Sequence, residues 1–156
     1  MHEKILTEKQ SIKIENHDLI NDLCKIIAKN DIKFDQESKM MYSTDASIYH
    51  MEPICIIFPK NKEIVKKIIK IADKYNVPIV PRGAGTSLAG QAINNGIMLD
   101  FSRYMRKIIE INHKEKWAII QPGIVVEEFN KALKKFGLQY AIDTSTKNRA
   151  TVGGGI

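Results

Sequence analysis

With 156 residues, 44% of them apolar and 27% charged, the chain is long enough to bury a real core and amounts to one domain or less. Its net charge of +6 comes from lysines dispersed along the sequence, which argues against nucleic-acid binding, where positive charge is clustered and arginine reads the base edges. No apolar run approaches the roughly 18 residues that span a bilayer, and the first ten residues carry two acids and no apolar signal region.

In chain order, Asn16 is placed to cap a helix over about residues 17–30, with Leu19, Ile20, Leu23, Ile26 and Ile27 as its apolar face. Ile54–Phe58 is a short apolar run ended by Pro59 and suits a buried strand. Asn61 caps a second helix in which Ile64, Val65, Ile68, Ile69 and Ala72 recur at core spacing. The lysines 62, 66, 67, 70 and 74 form its solvated face. Val77–Val80 is the next strand and runs straight into a glycine-rich stretch. This is a βαβ unit with a loop past a strand's carboxyl end, a usual place for ligands. Ile97–Asp100 adds a strand, and Ile108–Ile111 with Trp117–Gln121 predicts a hairpin around Asn112–Lys116. Pro122-Gly123 turns the chain into a helix marked by Val126, Phe129, Ala132, Leu133 and Phe136 and stopped by Gly137.

Cys24 and Cys55 stand alone, without metal-ligand spacing, and read as reduced, buried thiols of a cytoplasmic protein. His2, His17, His50 and His113 have no partner by spacing, so the sequence offers no catalytic residue and no metal site. The lysine excess leaves association with an anionic surface, such as the inner membrane face, open.

The loop is Arg82-Gly83-Ala84-Gly85-Thr86-Ser87-Leu88-Ala89-Gly90-Gln91. Glycines let a ligand approach the backbone, successive N–H groups make a concave anion site, and hydroxyls add donors. A nucleoside-triphosphate P-loop requires a lysine where Gln91 stands, and a Rossmann turn requires glycine where Leu88 stands and a helix after it. On the residues alone, a phosphate site and an ordinary glycine-rich turn both remain.

Val77 to Gln91 resembles the pyrophosphate-binding loop of the vanillyl-alcohol oxidase, or PCMH-type, FAD-binding domain. Ser43–Pro53 resembles that domain's opening segment, and Leu99–Arg103, Gln121–Gly123 and Asp143–Thr146 fall where the family has similar segments. Asn148–Gly154 resembles its second flavin-contacting strand and turn. The subgroup it is most similar to is the FAD- and iron–sulfur-containing D-2-hydroxyacid dehydrogenases, of the D-lactate dehydrogenase and glycolate oxidase type. The resemblance implies an α+β fold: an N-terminal βαβ subdomain plus an incomplete second α/β subdomain. Residues 1–40 would be a helical lead-in and 41–156 the FAD-binding domain.

The cofactor implied is FAD, held without a covalent bond, because no histidine lies in the loop. Arg82, Gly83, Ala84, Gly85, Thr86 and Ser87 would wrap the pyrophosphate, with Gly90 and Gln91 completing the loop. Asp143, Thr144 and Ser145 would approach the flavin from the second subdomain, and Thr151, Gly153 and Gly154 would let it lie against backbone. The activity implied is oxidation of a D-2-hydroxy acid to the 2-oxo acid.

The sequence stops at Gly155-Ile156, inside the second motif. The expectation is therefore a domain truncated on its C-terminal side, without the family's catalytic residues, cap or iron–sulfur module. A second chain would supply these. Two other readings stand beside it: a nucleotide- or phosphate-binding module without redox chemistry, including an inactive gene fragment, and a basic interaction protein.

Overall fold

Three apolar runs form the parallel heart of a four-stranded sheet: β2 (Cys55–Ile57), β3 (Ile79–Arg82) and β4 (Ile97–Asp100). β1 (Ile32–Lys33) joins antiparallel to β2, and the strand order is β1-β2-β4-β3. The computed structural model describes residues 17–156. Every residue of β2 and β4 is buried, as expected where both faces of a parallel sheet are covered. On one face, Cys55, Ile57, Ile97 and Leu99 meet Leu19, Leu23 and Ile27 of the N-terminal segment and Ile68 and Ala72 of α3 (Lys62–Lys74). On the other, Ile56, Val80 and Met98 meet Tyr42 and Phe58.

The first helix, α1, spans residues 17–26 and ends short of residue 30. Ala28 is extended (φ −64°, ψ 144°) and one 3-10 turn, Lys29–Asp31, follows. The break delivers Asp31 to Lys60 Nζ at 2.5 Å and to the Tyr104 hydroxyl at 2.7 Å, and Ile32 to its pairing with Ile57. The proposed cap Asn16 lies outside the described residues. Asn61 does cap α3, accepting from Ile64 N–H at 3.0 Å. Asp22 of α1 accepts from Lys74 Nζ at 2.7 Å and Tyr75 Oη at 2.8 Å, which ties the two helices together.

Two elements were not anticipated, β1 and α2 (Gln36–Tyr42). No residue of α2 is buried, so it has no apolar stripe to announce it; Asp35 starts it by accepting from Ser38 N–H at 2.9 Å. β3 begins and ends two residues later than Val77–Val80 and runs through Pro81. It is an edge strand, where a missing N–H costs no ladder bond.

The second sheet is the hairpin β5 (Ile108–Asn112) and β6 (Trp117–Ile120). α4 (Val126–Lys134) covers it, with Val126, Phe129, Leu133 and Val152 packed on Ile108, Ile111, Ala118 and Ile120. α4 stops before Phe136, and Gly137 turns left-handed at φ 67°. The two halves meet at Gly123, whose N–H donates to Met105 O at 2.8 Å. Cys55 is buried, but Cys24 is exposed, because it falls off the Leu19–Leu23–Ile27 stripe of its helix. No helix among the described residues is long and apolar enough to cross a membrane.

Candidate functional site

β3 delivers the chain to the loop. Arg82 pairs in register with Asp100 of β4, and from Gly83 onward the backbone leaves the sheet. Among the described residues, the main-chain N–H groups of residues 83–88 donate no hydrogen bond. The return side is closed: Ser87 Oγ accepts from Ala89 N–H at 3.3 Å and Gln91 N–H at 3.2 Å, and donates to Gln91 Oε1. Gly85 (φ 67°) and Gly90 (φ 79°) take the left-handed turns that shape the loop. The Tyr49 ring lies directly against Gly90. The result is a row of free donors on a braced loop.

Polar groups from other elements support it. Asp45 accepts from Ser47 N–H at 2.9 Å and Ala92 N–H at 3.4 Å. Burial alone would raise the Asp45 carboxyl, but these bonds and the nearby Arg82 charge hold it below its ordinary value. The Tyr42 hydroxyl donates to Asp100 Oδ2 at 2.6 Å; burial first, then this carboxylate, pushes its pKa well up. Arg82 is directed inward to main-chain carbonyls, its Nη1 lying 2.9 Å from Thr44 O and 3.1 Å from Ala92 O. Tyr42, Asp45 and Tyr49 were not singled out from sequence, although all lie in or beside the Ser43–Pro53 segment.

The second motif comes to the same place. Thr151 is buried, bridged to Val125, and its hydroxyl occupies the space a side chain on Gly83 would need. Thr151 is a single bridge residue rather than part of a strand, and Val152–Gly154 is a 3-10 turn. Gly153 N–H donates to Pro122 O at 2.9 Å, and Gly154 lies beside Thr151 Oγ1. Asp143, Thr144 and Ser145 form a separate turn and make no hydrogen bond to the glycine loop. Asp143 pairs with Lys147 at 3.2 Å, Ser145 is exposed, and Ile142 touches Gly155. Thr144 Oγ1 is buried with no hydrogen-bond partner among the described residues.

The donor set of the loop therefore fits a pyrophosphate-bearing cofactor: free N–H groups and close backbone packing. Among the described residues no group of three or more His, Cys, Asp or Glu side chains is placed to hold a metal ion. A surface recess of about 720 Å³ is an open groove along α4, lined by Glu127, Lys131 and Lys147 and by none of the loop residues.

The FAD binding domain family is matched over residues 53–156, two-thirds of the sequence. The chain belongs to that family. FAD is the cofactor of such a domain, and the α+β fold is of the PCMH type. The chain is 39% identical over 140 residues to the D-2-hydroxyglutarate dehydrogenase of Haemophilus influenzae, covering 88% of this chain and 14% of that protein. It is 36% identical over 121 residues to the glycolate oxidase subunit GlcD of Bacillus subtilis, covering 76% of this chain and 26% of that one. A solved alkyldihydroxyacetonephosphate synthase superposes with a TM-score of 0.77 at 25% identity, covering 88% of this chain and 28% of the other. The FAD-domain chain thus spans only a minor part of the length of the proteins it matches.

Proposed function

We propose that this chain is the FAD-holding part of an oxidoreductase that converts a D-2-hydroxy acid, of the 2-hydroxyglutarate, lactate or glycolate kind, to the 2-oxo acid. The observation that carries the reading is the run of free main-chain N–H groups at residues 83–88, set beside Thr151 and the glycine turn that follows it. The N–H groups of Gly83, Ala84, Gly85, Thr86 and Ser87 donate to pyrophosphate oxygens, and the Thr86 hydroxyl adds a donor. Gly90 and Gln91 hold the loop's return side, and Arg82 its base. Thr151, Gly153 and Gly154 keep the adjoining surface free of bulk, so that the cofactor lies against backbone. Asp143, Thr144 and Ser145 approach from the second subdomain, with the unpaired Thr144 hydroxyl as the donor.

FAD, when bound, supplies the two-electron acceptor for the oxidation; the chain's own residues bind and orient it. With no histidine in the loop, the attachment is non-covalent. A cytoplasmic location, and a cap, catalytic residues and any iron–sulfur module supplied from outside residues 1–156, belong to the same proposal.

The test is titration of the purified chain with FAD, followed by flavin fluorescence and absorbance, with ADP in parallel. Saturable FAD binding supports the reading. Binding of ADP without any gain from the flavin favours a nucleotide module with no redox role, and no binding by a folded chain overturns both.

A further inference from the structure

Arg82 was expected at the phosphates, yet its side chain runs beneath the loop. Its Nη1 donates to Thr44 O at 2.9 Å and Ala92 O at 3.1 Å, with Tyr42 O at the 3.5 Å limit. The guanidinium carbon stands 5.1 Å from the centre of the Tyr42 ring. From above, Gly85 rests on the same group: a Cβ there would fall 2.7 Å from the guanidinium carbon. One half-buried cation therefore touches three stretches of backbone: the end of α2 with the segment after it, the crown of the loop and its return.

Its countercharges are at second distance. Asp100 is held by Tyr42 and by Ser102 N–H at 2.7 Å, and Asp45 by Ser47 and Ala92. Neither carboxylate forms an ion pair with Arg82, so the guanidinium remains available to the carbonyls. A lysine ammonium can donate to both carbonyls, but it has no flat guanidinium to lie between the Tyr42 ring and Gly85.

We propose that Arg82 is a positioning residue that sets the loop before any ligand arrives: it locks residues 83–88 into the arrangement in which their N–H groups stay unpaired within the chain. Fixing that arrangement in advance removes an ordering cost from binding. The proposal rests on the loop being the cofactor site, but its first readout needs no cofactor.

The experiment uses the full chain with Arg82→Lys and Arg82→Gln, isotope-labelled for NMR. Backbone order parameters are measured for residues 83–92 without ligand, together with amide exchange of Met51 and Ala92, whose N–H groups are bonded to Ser43 O and Asp45 Oδ2. Both variants are expected to drop the loop order parameters below about 0.6, the range of flexible backbone. Exchange at Met51 and Ala92 should rise at least tenfold while β2 and β4 keep their protection. FAD and ADP should both bind at least tenfold more weakly, to the same degree in the two variants.

Wild-type loop order and affinity in Arg82→Lys would overturn the proposal, since charge alone then suffices. Lost affinity with unchanged loop order would overturn it too, in favour of a direct phosphate contact. Protection lost throughout both sheets would reduce Arg82 to general stability. If the wild-type chain binds no FAD but the variants loosen the loop alone, the clamp stands and the cofactor reading fails.

Discussion

The hydroxyl of Thr151 stands in the space that a side chain at residue 83 would occupy, so Gly83 and Thr151 interlock 68 positions apart in the sequence. Through this contact the glycine loop after β3 and the glycine turn after Thr151 become one surface. Neither motif can shift without the other.

Gly83→Ala should therefore damage both. The added methyl drives into Thr151 Oγ1, with Thr151 Cβ and Cγ2 each 3.0 Å away. Overpacking of this kind costs about 1–3 kcal/mol, measurable as a lower denaturant midpoint, and FAD affinity should fall at least tenfold. Adding Thr151→Ala to that variant removes the nearest atom and should recover more than half of the lost stability. Simple additivity of the two substitutions would contradict the interlock.

At Gly85 the objection is conformational as well as steric. A β-branched residue at φ 67° is strained by about 1–3 kcal/mol, and its Cβ would enter the Arg82 guanidinium. Gly85→Val should bind no measurable FAD while keeping a cooperative thermal transition, since the sheet cores lie elsewhere. Retained affinity in a flavin fluorescence titration would remove the loop from the site.

Asp31 sets an acid limit on stability. The Lys60 ammonium, 2.5 Å away, and then the Tyr104 hydroxyl hold its carboxyl below the ordinary carboxylate value, against the opposing effect of burial. A lowered native pKa contributes stability that is complete above the unfolded value, about 3.9, and is lost as pH falls through the native one. Melting temperatures of wild type and Asp31→Asn should differ by a constant amount from about pH 5 to 7. Below about pH 4 the two should converge, as the wild-type side chain becomes neutral too. A gap that persists at low pH would show that the ion pair is not its source.

The two thiols should separate cleanly in chemical modification. Burial pushes Cys55 up to about 12, whereas Cys24 is exposed on α1. Reaction needs both access and thiolate. A chromogenic disulfide reagent should release one equivalent from the native chain at neutral pH and the second only in denaturant, with Cys24→Ser abolishing the first phase.

Much of this was legible in the residues. The strands at 54–58 and 97–100, the hairpin, the Asn61 cap and the apolar faces of α1 and α3 follow from local periodicity and capping, because each is decided by contacts within a few positions of the chain; Ile69, expected on the α3 face, is instead exposed. The glycine loop and its resemblance to a flavin-binding family were equally local signals. α2 was invisible because none of its residues is fully buried and only Tyr42 packs on the sheet core, and β1 because two residues carry no period. The early end of α1 depended on where Asp31 finds Lys60 and Tyr104, partners 29 and 73 positions away.

By itself, then, the sequence determined most of the elements, the family and the residues of the glycine loop, since these depend on short-range pattern and on side-chain chemistry. Only the tertiary structure decided what those residues do for one another. Folding turned Arg82 beneath the loop toward carbonyls at positions 44 and 92, brought Thr151 against Gly83, and left the Thr144 hydroxyl buried without a partner among the described residues. Such outcomes rest on where distant backbone atoms come to lie, and no local pattern encodes them, because a guanidinium satisfied by main-chain oxygens leaves no signature in the side chains around it.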